Sequence, residues 1–454
     1  MLNTSSAYFV FLAGVFFCYW AAARWRTPAL AVVLAANYFF YARWDLAYLA
    51  LIPAASLVDY LCALGMQQSK RVWWRRTLLG LSLATNAGIL ISLKYMPAWD
   101  RSWKWALPLG LSFYCFQALS YTLDVYRKDA KATSSMLAHF AAVSFFPTIL
   151  AGPITRVSSL LTQLEKPKKL SAADGGRALF LIGLGAMKKL LVADYLAENL
   201  VNRIFDFPKL YSGLEVLAGV YGYALQLYFD FSGYSDIAMG SALLLGLKIP
   251  QNFNMPYSAT NIAEFWRRWH ISLSSWLRDY VYFSFPGLRG KLMPYVALFL
   301  TMVIGGVWHG ASWNFVIWGA LHGLGLALCR AWQSQRGATK WDSAWGRGLA
   351  TFWTVQFVCF CWIFFRAASF ESAMEILAQI SSLTLTAGNL SGGILLIGAI
   401  AIAGHYAPKQ WLEASEGLFV RVPFYAQAVL LLLLALSIKY VAATGSAPFV
   451  YTQF

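Results

Sequence analysis

Charge is what this sequence has least of. Only 12% of its 454 residues are Asp, Glu, Lys or Arg, and the acidic ones are the scarcer, 20 against 36 basic. Soluble domains carry about a quarter charged residues, so a water-solvated globule is excluded. Cysteine is also sparse. Cys18, Cys62, Cys115, Cys329, Cys359 and Cys361 all lie in or beside apolar runs, which excludes a disulfide framework or a zinc site. The CxC of Cys359 and Cys361 reads as apolar filler. A Walker loop, a dinucleotide glycine pattern, a serine-centred elbow and a metal-ligand cluster are all missing, so no cofactor is expected to be bound permanently. No repeat of fixed period appears and no linker separates soluble parts; residues 1–454 read as a single membrane domain.

What is there is apolar. Hydrophobic residues make up 59% of the chain and mean hydropathy is +0.54. A helix needs about 20 apolar residues to cross the hydrocarbon core. Spans are read near 7–23, 28–43, 46–64, 77–95, 107–123, 178–193, 213–229, 231–247, 293–308, 312–332, 349–366, 392–405 and 425–443. Segment 137–152 is short, carries Pro147 and reads as re-entrant. The fold class is therefore an all-α polytopic membrane protein of about 11 to 13 crossings. The first span lacks a basic n-region and reads as a retained helix rather than a signal peptide.

A formal net charge of +16 raises the question of a nucleic-acid partner, and its distribution argues against one. The basic residues fall in clusters between apolar runs: Lys70, Arg71, Arg75 and Arg76; Arg127, Lys128 and Lys131; Lys166, Lys168 and Lys169; Arg267, Arg268, Arg278, Arg289 and Lys291. Such loops fix topology by collecting on the cytoplasmic side. Counting the first five spans places the N terminus outside the cytoplasm, with Arg24 and Arg26 inside and Arg101 and Lys104 outside against the rule.

Between 251 and 292 the chain runs 42 residues without an evident span. Here Phe265, Trp266, Trp269, Trp276, Tyr280 and Phe283 interleave with Arg267, Arg268, His270, Arg278 and Asp279. Such a segment lies in the membrane interface, rings at headgroup depth and guanidinium groups toward phosphate or water; alone it reads equally as a brace for the bundle. Five histidines are present, His139, His270, His309, His322 and His405. His139 and His405 fall near span ends, where a polar tip reaches water. His309 sits in GGVWHGASW between two apolar runs, and an intramembrane titratable group is a functional-site candidate. Thirteen residues of straight helix turn a side chain by roughly 220°, so His309 and His322 share a face only if the helix breaks. The glycine after His309 permits that break.

Five stretches carry a resemblance: LPLGLSFYCFQALSYTLDVYR at 107–127, FFPTILAGPITR at 145–156, YALQLYFDFSGYSDIAMG at 223–240, NFNMPYSATNIAEFWRRWHISLSSWLRDYVYF at 252–283 and GGVWHGASWNFVIWGALHG at 305–323. In this order they resemble the membrane-bound O-acyltransferases, specifically the bacterial branch of alginate and peptidoglycan O-acetylation and teichoic acid D-alanylation. The resemblance implies a bundle around a central tunnel, with His309 as the catalytic residue and His270 as its polar partner. It implies a multi-pass protein of the bacterial cytoplasmic (inner) membrane, in contact with lipid. The enzyme passes an acetyl group from a cytoplasmic thioester, acetyl-CoA by expectation, toward an extracytoplasmic polysaccharide. No stretch reads as an extracytoplasmic hydrolase-like domain, so a periplasmic SGNH-type acetyltransferase is the implied partner.

A neutral imidazole at 309 removes the proton of an attacking hydroxyl. Arg267, Arg268 and Arg278 suit the phosphates of an acyl carrier, since guanidinium groups pair with them bidentately, and Asp279 holds one of them. Trp308, Trp313 and Asn314 follow or precede His309 closely enough to line its cavity. Asp236 stands as a substrate-binding candidate, and Asp230 with it receives hydrogen bonds at a helix break. Two alternatives stay open: D-alanyl transfer to teichoic acid, and a transporter or flippase whose polar centre is a permeation path. A transporter often shows two related halves with matched broken helices, and no such match is found.

Overall fold

Hydroxyl and amide side chains start several helices of this chain. Ser5 accepts a hydrogen bond from the Tyr8 backbone N–H at 3.3 Å, Ser135 from Ala138 at 3.2 Å, Asn261 from Glu264 at 2.9 Å and Ser312 from Asn314 at 3.2 Å. Each satisfies one of the orphan donors of a first turn. The computed structural model describes residues 4–43, 49–100, 102–103, 110–165, 169–337 and 343–441, and among them the secondary structure is helical without strands. The first residues of the spans expected at 46 and 107, the end of the span expected to reach 443, and Arg101, Lys104, Lys166 and Lys168 lie outside the described residues.

The chain divides into two compact units. The first comprises 1–184, 234–251 and 419–424; the second comprises 185–233, 252–418 and 425–454. In the first, helices Leu51–Gln68, Val72–Leu90 and Leu111–Arg127 pack on one another around a buried polar centre. Asp59 Oδ1 accepts from Ser82 Oγ at 2.6 Å, and its Oδ2 accepts from Asn86 Nδ2 at 3.1 Å. The segment read as re-entrant is two short helices, Met136–Val143 and Phe146–Ile149, all but wholly buried. Asn37 closes the gap between them: its Nδ2 donates to the Ala141 carbonyl at 2.9 Å and its Oδ1 accepts from the Phe146 N–H at 2.9 Å. Irregular backbone inside a bundle persists where side chains satisfy it in this way.

Among the described residues three helices are long and apolar enough to cross a membrane by length and composition, Val72–Trp99, Trp313–Gln335 and Ala344–Arg366; five more apolar helices there run 10–17 residues. The spans read at 213–229 and 231–247 are instead one helix, Gly213–Leu244, of 32 residues. The expected break at Asp230 is not needed, because Lys189 neutralises the carboxylate: Lys189 Nζ lies 2.9 Å from Asp230 Oδ1 and 2.5 Å from Asp194 Oδ1, all three side chains buried. The stretch 251–292 carries only short helices, Ile262–Arg268 and Ile271–Trp276 among them, as expected.

In the second unit, Met293–His309 and Trp313–Arg336 form a tight helical hairpin. Glycine makes the close approach possible. A Cβ on Gly319 would stand 2.5 Å from the Met302 carbonyl oxygen, and one on Gly323 2.8 Å from that of Phe299. Ala344–Arg366 and Ile262–Arg268 pack on the second arm.

Candidate functional site

His309 is the last residue of its helix, as the break predicted. Gly310, which follows, has φ 179°, extended backbone open to any residue; glycine is required there for space, because the Phe315 ring lies 2.5 Å from where a Cβ would stand. The imidazole is 3% exposed. Rings enclose it: Trp308 at 4.7 Å, Phe365 at 4.9 Å, Trp318 at 5.1 Å and Phe315 at 6.1 Å. Two come from the helix after the break and one from Ala344–Arg366, so three segments build the cage.

His270 is held differently. Backbone from 252–254 runs beside 268–271, with Asn254 N–H donating to the Arg268 carbonyl and Ile271 N–H to the Asn252 carbonyl, both at 2.9 Å. Asn252 Oδ1 accepts from Ser272 Oγ at 2.9 Å and Ser272 N–H at 3.2 Å, and it lies 3.1 Å from His270 Nδ1. An amide oxygen facing donors on every side requires Nδ1 to carry the proton, which leaves Nε2 with its lone pair. The residue has φ 41°, a left-handed conformation that costs a side-chain-bearing residue about 1 kcal/mol or more and is kept where surroundings over-determine it. Burial pushes its pKa down to about 3, so His270 is neutral throughout the physiological range. A ring path leads from His270 to His309: Phe231 at 4.6 Å from His270, then Phe253, Trp269, Trp362 and Trp318, each within 6.0 Å of the next.

The arginines divide. Arg268 Nη2 lies 2.7 Å from Glu264 Oε1, and its Nη1 donates to the Asn254 carbonyl at 3.3 Å. Glu264 also accepts from Thr260 N–H and Oγ–H. Burial alone would raise its pKa; the Thr260 hydrogen bonds and Arg268 outweigh that and hold it below the usual carboxylate value. Arg268 is therefore a brace for 252–268, and Glu264, an acid that the sequence reading passed over, is its partner. The signal for Glu264 was an Asn261-x-x-Glu264 capping box. Arg278 donates to Asp279 at 2.8 Å as expected, with its side chain 60% exposed, and Arg267 is exposed.

Trp313, His139 and His405 depart from expectation, while Asn314 and Asp236 are buried. Trp313, the first residue of its helix, is 77% exposed and does not line the cage. Asn314 is buried and donates to the Ala367 carbonyl at 2.9 Å. His139 and His405 do not reach water; both are buried, His139 with Nε2 3.2 Å from the Ser56 carbonyl oxygen. Asp236 is buried in the part of its helix that belongs to the first unit. The sequence reading also missed Lys189 and Asp194, whose pairing with Asp230 has no spacing signal because they stand 41 and 36 residues before it in the chain.

The family model described as MBOAT, the membrane-bound O-acyltransferase family, matches residues 44–373. A peptidoglycan O-acetyltransferase of Helicobacter pylori is 35% identical over 419 residues, which covers 83% of this chain and 79% of that protein. A probable alginate O-acetylase of Azotobacter vinelandii is 34% identical over 497 residues, covering 96% of each. A teichoic acid D-alanyltransferase of Bacillus subtilis is more distant, 29% identical over 58% of this chain.

Proposed function

The chain belongs to the membrane-bound O-acyltransferase family and is a multi-pass membrane enzyme that transfers acyl groups to oxygen; from that premise we propose that it passes acetyl groups from a cytoplasmic thioester, acetyl-CoA or a chemical equivalent, to a hydroxyl destined for an extracytoplasmic polysaccharide of the peptidoglycan or alginate kind. In this reading it works in the bacterial inner membrane and hands its product to a periplasmic SGNH-type acetyltransferase. The acetyl group is favoured over D-alanine because the relatives named for acetylation match more of the chain at higher identity.

The observation that carries the chemistry is the placement of His309: an imidazole at a helix end, buried, caged by aromatic rings. A neutral imidazole in that place can act as a base. It takes the proton of the incoming hydroxyl as that oxygen bonds to the thioester carbon. The same proton is then available to the thiolate that leaves. Donor and acceptor must come within about 3 to 3.5 Å of each other at this point, far less than a bilayer thickness, so the protein must bring both reactants to His309. His270, fixed in one tautomer by Asn252, is the polar partner along the path. Arg267 and Arg278 meet the phosphates of the donor.

The test is transfer of label from [14C]acetyl-CoA to glycan or partner protein in vesicles carrying the enzyme. His309→Ala and His309→Gln, at wild-type abundance, lose about 10²-fold or more in turnover. Normal turnover in both removes the catalytic assignment. Net movement of an unmodified solute with no label transfer makes the protein a transporter instead.

A further inference from the structure

Asn314, Trp318 and His322 stand at i, i+4 and i+8 of helix Trp313–Arg336, one stripe along one face. All three are buried, at 1%, 2% and 0% exposed. Each carries a polar atom that finds no hydrogen-bond partner among the described residues: Asn314 Oδ1, Trp318 Nε1 and His322 Nε2. Buried polar groups in native proteins are nearly all paired with protein, water or ligand, which makes such atoms candidates for a ligand contact. Their chemistry can be assigned. Trp266 Nε1–H donates to His322 Nδ1 at 3.3 Å, which makes Nδ1 the acceptor and places the ring proton on Nε2. Trp318 Nε1 is a donor only. Trp318 stands between the two histidines, its ring 5.1 Å from His309 at 89° and 4.9 Å from His322 at 64°. One buried N–H donor, that of Trp318, thus belongs to a ring against the base, and the other belongs to a ring packed on Trp318 one turn further along the helix; both are fixed by packing before any ligand arrives.

We propose that Trp318 Nε1–H and His322 Nε2–H bind the carbonyl oxygen of the acyl thioester and stabilise the negative charge it acquires during transfer. This assignment rests on the reading of His309 as the base. The acceptor oxygen forms a bond to the carbonyl carbon while its proton goes to His309, and the carbonyl electron pair moves onto oxygen. That oxyanion lies against the two N–H groups. The pair returns, the C–S bond breaks, and the thiolate leaves with the proton from His309. Donors held in a water-excluded site do not reorganise during the reaction, which is why such pairs are effective. The stripe also gives the buried indole N–H of Trp318 a task. Asn314 Oδ1 is an acceptor and cannot serve the carbonyl.

Side-chain swaps separate the donor role from packing. Trp318→Phe keeps a ring and removes the N–H. His322→Asn keeps an acceptor for Trp266 and removes the far N–H, whereas His322→Gln restores a donor near the position of Nε2. Trp318→Phe and His322→Asn are expected to lower kcat by on the order of 10²-fold each with little change in KM, and His322→Gln to recover part of the loss. A second measurement does not depend on turnover. With acetyl-CoA carrying a 13C carbonyl, bound to His309→Ala enzyme so that the thioester survives, the carbonyl infrared band is expected at lower frequency than in water. Adding Trp318→Phe or His322→Asn to that background returns it toward the free value. Variants with wild-type kcat, or a band that none of the substitutions moves, overturn the assignment while leaving His309 as base. No acyl transfer by the wild-type enzyme overturns both.

Discussion

Gly319 passes the Met302 carbonyl so closely that a Cβ at 319 would stand 2.5 Å from its oxygen. The contact sets the distance between the two arms of the hairpin and, through it, the seat of His309 at the end of one arm opposite Trp318 on the other. Alanine in a helix interior normally stabilises relative to glycine by about 0.5–1 kcal/mol. Here the sign is expected to invert. Gly319→Ala, and Gly306→Ala, whose Cβ would meet the Phe315 carbonyl, lower both the melting temperature and acyl transfer. Gly305→Ala, facing only the tip of Leu277 at 3.2 Å, is tolerated. Thermal melts of purified protein with a parallel transfer assay check the contrast; equal stability for 305 and 319 removes the packing argument.

The buried ion cluster predicts unequal costs. Lys189 faces two carboxylates, Asp194 and Asp230, so removing the lysine takes a counter-charge from two buried acids at once. Breaking a buried pair in this way costs about 3–5 kcal/mol. Asp230→Asn instead removes the surplus charge and keeps an oxygen for the ammonium, so it is expected to cost much less. Lys189→Met is expected to fall sharply in purified yield and Tm, and Lys189→Met with Asp230→Asn to recover part of it. Equal behaviour of Lys189→Met and Asp230→Asn shows that charge is not what the cluster balances.

His270 gives a pH dependence with a definite sign. Its folded pKa is pushed down to about 3 by burial, against about 6.5 in an unfolded chain. Between those values the unfolded state holds the extra proton, so stability is present above pH 6.5 and is lost as pH falls, by up to about 1.4 kcal/mol per unit. Melts between pH 7.5 and pH 5 are expected to decline more steeply for the wild type than for His270→Gln. Identical slopes show that the ring does not remain neutral in the fold.

The sequence made the fold class and the two motif histidines legible because both are written in short range. Apolar runs mark helices, and a WHG element between two runs marks a helix end. The five stretches of resemblance reached the family from the same local information. What stayed hidden depends on contacts across the chain. Asp230 looked like an acceptor of hydrogen bonds at a helix break because nothing near it in sequence announces Lys189. His405 looked like a surface tip because its distance from a span end says nothing of Tyr228 and Tyr257, whose rings cover it at 4.7 and 5.3 Å. Trp313 and Asn314 are neighbours in sequence yet one is exposed and the other buried, since helix phase decides and the phase follows from where Ser312 starts the helix.

The arginines of 267–278 give the last prediction, because the structure assigns them unequal work. Arg268 is tied to Glu264 at 2.7 Å and to the Asn254 carbonyl, bonds that hold the segment leading into His270. Arg267 and Arg278 are exposed and suited to a phosphate-bearing donor that arrives from water. Arg268→Ala and Glu264→Ala are therefore expected to lower protein abundance and Tm, with the surviving enzyme keeping its KM for acetyl-CoA. Arg267→Ala and Arg278→Ala leave stability within about 0.5 kcal/mol, as surface substitutions do, and raise KM with kcat little changed, the pattern of lost ground-state binding. Added salt raises the wild-type KM in the same direction, since exposed charge attraction is screened over about 8 to 10 Å, and raises it less in the Arg267→Ala and Arg278→Ala enzymes, which have less attraction to lose. Steady-state kinetics at two ionic strengths on all five proteins separate the roles. A KM that rises equally in Arg268→Ala and Arg267→Ala, with equal salt dependence, shows that the Glu264 pair opens to bind donor and that the division drawn from the geometry is wrong.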